Sequence, residues 1–297
     1  MKSDEFVDLS LLAHVKNLYL AARTVAEGAI GGFHKSPYLG HNAEFSHHRE
    51  YMPGDELKHI DWKRYAKSGK YYVKQYEESS SLNAMILLDQ SASMSIKSKK
   101  GLNKDQYAKI LTSSLAYLLL EQHDGVGFMS FAEGVNSFLP ISSKKTRFAE
   151  LISVLESELP KGSTSLVKAM DQLLPSLKKR SLVVIVSDFL HMDEDLLQTI
   201  KMLRYFKHEV IAFHLLSNEE LDFPYKDYAL FEDPETNFSM GVDASAVKKQ
   251  YKKNLDEYLK EVKSSMHKYN VDYQLFQTDQ NIEKALIHYL YKRGRHS

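Results

Sequence analysis

No cysteine occurs in the 297 residues, which excludes disulfides, thiolate metal sites and cysteine nucleophiles together. Surplus charge is missing as well. Lys+Arg and Asp+Glu both total 39, so the formal net charge is zero, and no chain-wide field favours nucleic acid or an anionic lipid surface. Partners must be argued locally, and nucleic acid is not expected among them. The most apolar stretch, LAYLLL at 115–120, is far shorter than the roughly 20 residues needed to span a bilayer, so no membrane insertion is expected. The opening MKSDEFVDLS lacks the basic and apolar regions of a secretory signal, and the expected location is cytoplasmic. Several catalytic signatures are missing too. GGFHKS at 31–36 has no Gly before its Lys, as the phosphate-cradling GxxxxGK[ST] loop requires. There is no GxSxG nucleophile elbow and no HExxH zinc helix.

What is present is an ordinary globular composition, 43% hydrophobic and 26% charged, long enough for one large domain and a smaller one. Leu11, Leu12, Val15, Leu18, Tyr19 and Ala22 recur at helical spacing, so an amphipathic helix is expected over 8–27, ending at Gly28. GAIGGFHKSPYLG reads as a loop. Two short extended pieces follow, AEFSHHREY and KYYVKQYEE, divided by the turn signal Pro53-Gly54-Asp55 and a helical turn near DWKRYAK. Residues 1–80 are read as a small α+β N-terminal region. His47 and His48 lie in a polar strand and are assigned no metal.

From 81 to 297 the rhythm becomes strand, helix, strand. The apolar runs AMILL, VGFMSF, LVVIV and VIAFHLL alternate with helical patterns near 104–122, 146–157, 165–178 and 194–206. Such alternation specifies an α/β fold, a doubly wound and mostly parallel sheet with helices on both faces. Residues 226–242 read as irregular or hairpin-like, followed by a helix near 244–268, a strand VDYQLF and a last helix near 281–292. In a doubly wound sheet, ligands sit beyond the carboxyl ends of the strands.

The stretch MILLDQSASMS at 85–95 gains its meaning there. A buried strand ends at Asp89, with Ser91 and Ser93 at alternate positions after it. Thr164 in KGSTSL and Asp188 in LVVIVSDF should approach the same edge. Two carboxylates and three hydroxyls form an all-oxygen set suited to Mg²⁺, Mn²⁺ or Ca²⁺ and unsuited to structural zinc. Taken singly, each residue also fits a turn or a helix cap.

Asp89-x-Ser91-x-Ser93, then Thr164, then Asp188 after an apolar strand resembles the metal-ion-dependent adhesion site (MIDAS) of von Willebrand factor type A domains. The upstream run REYMPGDELKHIDWKRYAKSGKYYVKQYEE is similar to a bacterial family of uncharacterised proteins carrying such a domain and commonly encoded beside MoxR-type AAA+ ATPases. LFEDPET and YQLFQTD extend the likeness to nearly the whole chain. The resemblance implies a Rossmann-like sheet and a cation, Mg²⁺ or Mn²⁺ ahead of Ca²⁺. Ser91, Ser93 and Thr164 would hold it, with Asp89 and Asp188 binding directly or through water. It further implies an open position for an Asp or Glu carboxylate of a partner protein, and a non-enzymatic adaptor or co-chaperone role toward a MoxR-type ATPase. One departure is Ser165, where many members of the wider fold have Asp. Arg49, Tyr51, Gly54, Asp55, Asp61 and Trp62 match the family's N-terminal pattern, with Trp62 expected as a packing anchor.

A rival reading is a Mg²⁺-dependent phosphatase or phosphotransferase of the haloacid-dehalogenase type, with Asp89 as nucleophile. SDFLHMD, with Asp188 and Asp193, faintly resembles that family's later acidic motif. Its chemistry needs a second Asp two residues after the nucleophile as general acid, and position 91 is Ser. Glu194 and Asp195, after Asp193, fit a helix N-terminus stabilised by its dipole.

Overall fold

The computed structural model describes residues 17–34, 47–52, 60–75, 82–96, 102–177, 179–190, 192, 194–236 and 238–294. The chain divides into two compact units, residues 34–81 and the remainder.

In chain order the elements are α1 (Leu18–His34), β1 (His47–Glu50), α2 (Trp62–Ser68), β2 (Tyr72–Gln75) and β3 (Asn83–Asp89). A 3₁₀ turn, Ala92–Ser95, precedes α3 (Lys104–Glu121), β4 (Gly125–Phe131), β5 (Val135–Ser142), α4 (Thr146–Ser157) and α5 (Leu166–Ser176). Then come β6 (Leu182–Ser187), α6 (Glu194–Tyr205), β7 (Glu209–Leu216) and α7 (Asn218–Asp222). The chain closes with β8 (Tyr228–Glu232), β9 (Ser239–Asp243), α8 (Ala244–Lys268), β10 (Asp272–Gln277) and α9 (Ile282–Gly294). Among the described residues no helix is long and apolar enough to cross a membrane.

The larger unit is built on a six-stranded sheet of order β10-β7-β6-β3-β4-β5. Every pairing is parallel except β4 with β5, which bears out the expected mixed α/β architecture. The strand period of two separates two cores. Ala84, Ile86 and Leu88 of β3 join Leu111, Leu115 and Phe148 on one face. Met85 and Leu87 join Leu173, Ile200 and Val262 on the other. β5 does not figure among the expected strands. It is an edge strand carrying Pro140, half-buried along its length, so it lacks the continuous apolar run that marks its neighbours; Pro is tolerated at an edge because one side of the strand needs no ladder donor.

The N-terminal helix differs from expectation in two ways. Residues 8–16 lie outside the described residues, and α1 runs through Gly28 to His34, replacing the first part of the expected loop. Gly28 is not a stop: a Cβ there would lie 2.5 Å from Glu283 Oε1, so the residue permits close approach of α9. Ala21, Ala22, Val25, Ala26 and Ala29 are all buried in the core that contains α3. The helix therefore belongs with the sheet rather than with residues 34–81. Its apolar stripe was visible in the sequence; the surface it covers was not.

In the smaller unit β1 and β2 pair antiparallel. Asp61 caps α2, accepting the Arg64 N–H at 3.0 Å. Trp62 is 58% exposed, so within residues 34–81 it is not a buried packing anchor. It sits at the start of a seven-residue helix and meets Tyr65 and Tyr71 edge-on. The expected turn at Pro53-Gly54-Asp55 lies outside the described residues.

Candidate metal centre

β3 and β6 are neighbours whose following connections run in opposite directions across the sheet, through α3 to β4 and through α6 to β7. Their carboxyl ends therefore frame a topological switch point, where a crevice opens between diverging loops. Asp89 is the last residue of β3 and Asp188 directly follows β6. Alternation along β3 turns Asp89 toward the face of Met85 and Leu87. The same rule turns Ser187 toward that face with Val183 and Ile185, and leaves Asp188 facing the side of α3.

Asp89 is 1% exposed and fully hydrogen-bonded. Its Oδ1 accepts the Ser91 N–H at 2.9 Å. Its Oδ2 accepts the Ser187 hydroxyl at 2.7 Å and the Thr164 hydroxyl at 3.0 Å. The Ser91 and Ser93 hydroxyls lie 3.0 Å apart and bond to one another. Backbone bonds knit the Ser91 and Thr164 loops to each other and to the end of β4: Gln90 N–H to Phe131 O, Ala92 N–H to Gly162 O, Lys161 N–H to Gln90 O and Ser165 N–H to Ala132 O, all at 2.8–2.9 Å. Gly162 has φ +72°, a left-handed conformation that glycine adopts without steric cost, and this turn delivers Thr164 to Asp89.

Asp188, 1% exposed, is held differently. Lys104 Nζ donates to Asp188 Oδ2 at 2.7 Å and to Glu220 Oε1 at 2.8 Å. Lys104 is fully buried. Burial pulls its pKa down, but the charges and hydrogen bonds of Asp188 and Glu220 outweigh that and raise it, so it is an ammonium. Asp188 Oδ1 is buried and has no hydrogen-bond partner among the described residues. Asp89 has its pKa pushed up to about 6, first by burial and then by the negative charge of Asp188, against the bonds from Ser187 and Ser91. Asp89 is thus a buried carboxylate surrounded by hydroxyl oxygens, an all-oxygen set of the kind that suits a hard cation.

The backbone after Asp188 is strained. Phe189 has φ +43°, a conformation costing on the order of 1–3 kcal/mol for a residue with a side chain. It is held by its N–H to Ser187 Oγ at 3.0 Å and by the Tyr258 hydroxyl, which donates to its carbonyl. A cavity of about 60 Å³ lies beside Asp89, Thr164 and Ser187, walled by Phe131, Ile185 and Phe189, enough for water to reach polar groups. Ser165 and Asp195 also line it. A carboxylate from the first turn of α6 thus lines the cavity together with Asp89.

Asp89, Ser91, Ser93 and Thr164 therefore form one hydrogen-bonded cluster, and Asp188 adjoins it through Ser187. Among the described residues no group of three or more His, Asp or Glu is placed to hold a metal; this set relies on hydroxyls for most of its donors. Sequence reading missed three participants. Ser187 had a signal, since it precedes Asp188 at a strand end. Lys104 and Glu220 had none, being 84 and 116 residues from their partners.

The family described as "Protein of unknown function DUF58" matches residues 47–260. The chain belongs to it. Another protein similar to this DUF58 chain is the uncharacterised protein Rv1480 of Mycobacterium tuberculosis, 23% identical over 234 residues, covering 77% of this chain and 72% of that one. Among solved structures, the conserved hypothetical protein BatB from Bacteroides thetaiotaomicron is 18% identical with a TM-score of 0.47, covering 73% of this chain and 100% of that one. The SpRpn10 VWA domain is 11% identical with a TM-score of 0.41, covering 68% and 92%. For this DUF58 chain, the strand order and register described above carry the fold assignment.

Proposed function

We propose that this DUF58 chain is a non-enzymatic protein-binding module that takes a partner's Asp or Glu side chain through a divalent cation, Mg²⁺ or Mn²⁺. The observation that carries this reading is the meeting of Asp89, Ser91, Ser93 and Thr164 at the switch point beside Asp188, whose Oδ1 is buried and without a hydrogen-bond partner among the described residues. Ser91, Ser93 and Thr164 would hold the ion, with Asp89 and Asp188 binding directly or through water. When bound, the cation supplies an exchangeable position that a carboxylate oxygen can enter. The chain's own contribution is to hold the hydroxyls together and keep both carboxylates out of bulk water. By the same resemblance, the chain serves as an adaptor or co-chaperone for a MoxR-type AAA+ ATPase, which supplies the mechanical work.

The phosphatase reading lacks its proton donor. Ser91 stands where the general acid would be, fully buried and bonded to Ser93. Calorimetric titration of metal-stripped protein with Mn²⁺ tests the proposal, with Asp89→Ala and Thr164→Ala as controls and a parallel phosphatase assay. Saturation near one ion per chain, lost in Asp89→Ala, weakened at least tenfold in Thr164→Ala and without turnover, is the expected result. Equal binding by all three proteins, or hydrolysis abolished by Asp89→Ala, would contradict it.

A further inference from the structure

Lys104 occupies a position with no helical reason for a cation. It is the first residue of α3, where the helix dipole disfavours positive charge. The cap of that helix is already made by Asn103 and Gln106, each side chain bonding the other's backbone N–H at 2.8 and 3.3 Å. Lys104 is fully buried all the same, and an ammonium withdrawn from water requires compensating charge. That compensation comes from Asp188 on one side and Glu220 on the other, both within 2.8 Å.

The division of labour on Asp188 is informative. Lys104 engages Oδ2, while Oδ1 is buried without a hydrogen bond among the described residues. Glu220 is fixed independently: its Oε2 accepts both the N–H and the hydroxyl of Ser217 at 2.7 Å, and its carbonyl accepts the Tyr251 hydroxyl at 2.9 Å. The ammonium is thus anchored to a rigid acceptor at the start of α7 and presents its remaining charge to Asp188.

From this arrangement we infer that Lys104 is a built-in counter-cation of the metal centre, one that occupies one oxygen of Asp188 and so weakens the ion's hold. The inference rests on the metal reading proposed above. Its logic is electrostatic competition. Asp188 shares its charge between the ammonium and the divalent ion, so the ion stays exchangeable and can leave with a partner. Glu220 draws the ammonium back and moderates that competition. Removing Lys104 should therefore tighten metal binding, and removing the charge of Glu220 should loosen it.

The test is calorimetric Mn²⁺ affinity at pH 8 for the full chain and for Lys104→Met, Lys104→Arg and Glu220→Gln, with thermal unfolding of each in chelator and in saturating Mn²⁺. The expected result is at least tenfold tighter binding in Lys104→Met, weaker binding in Glu220→Gln, and affinity near wild type in Lys104→Arg. The unfolding midpoint of Lys104→Met should also rise on adding Mn²⁺ by more than that of wild type. Should Lys104→Met fail to fold without metal, the Glu220→Gln affinity decides alone. Uptake by wild type with affinity unchanged in the folded variants would make Lys104 a structural ion pair only and overturn the inference. Weaker binding in Lys104→Met would overturn it as well. No uptake by wild type would overturn the metal reading itself, a different result from either.

Discussion

Asp89 and His214 are both buried and titrate in opposite senses. Asp89 is raised from 3.8 to about 6, so between those values the folded chain holds a proton that the unfolded chain has released, and stability falls as pH rises through the window. His214, whose Nδ1 lies 2.8 Å from the Tyr273 hydroxyl, is lowered from 6.5 to about 4, chiefly by burial. There the unfolded chain holds the extra proton, and stability falls as pH drops from 6.5 toward 4. In chelator the two slopes oppose one another. Compared with wild type, unfolding midpoints of Asp89→Asn should climb more steeply between pH 4 and 6.5, whereas those of His214→Gln should turn downward. Parallel profiles for all three proteins would contradict both assignments. The triad of Lys104, Asp188 and Glu220 adds a second test at this scale. In chelator, Lys104→Met leaves the buried Asp188 and the part-buried Glu220 without their cation and should cost about 3–5 kcal/mol in denaturant unfolding; a loss under about 1 kcal/mol would mean the triad is solvated.

At the scale of elements, legibility followed burial. β3, β4, β6 and β7 are buried along almost their whole length, so each is a mainly apolar run, and the helices between them carry the matching period. β5 escaped notice because an edge strand with a Pro presents neither pattern. The turn that carries Thr164 was visible as KGSTSL, but its attachment to Gln90, Ala92 and Ala132 is made by backbone atoms, which leave no trace in residue type. Gly162→Ala should therefore cost about 1–2 kcal/mol from the positive φ and also weaken Mn²⁺ binding, because the displaced turn moves Thr164; an unchanged affinity would separate the turn from the site. The β8–β9 hairpin offers a contrast. Leu230 is 71% exposed on its outer face, while Phe231 stacks on Phe223 with ring centroids 5.5 Å apart. Leu230→Ala should change the unfolding free energy by no more than about 0.5 kcal/mol, and Phe231→Ala by clearly more. Equal effects would mean that the hairpin does not pack as described.

Across the whole molecule, five polar residues from three separated segments converge on one sheet edge, and the sequence announced them by order and by position after apolar strands. It could not announce the ammonium that shares Asp188, since Lys104 in isolation is one more charged residue at a helix start. Nor could it announce that α1 covers the sheet core while residues 34–81 form a unit of their own. Zero net charge leaves local chemistry to choose the partner, and that chemistry is a set of carboxylate and hydroxyl oxygens, which under the proposed function would take a hard cation. The most direct test is anomalous diffraction from crystals of the chain grown with Mn²⁺. The account predicts one strong peak at the carboxyl ends of β3 and β6, with the Ser91, Ser93 and Thr164 hydroxyls at coordination distance and Asp89 and Asp188 bound directly or through water. A map with no peak there, or with Mn²⁺ only on exposed carboxylates elsewhere, would contradict it.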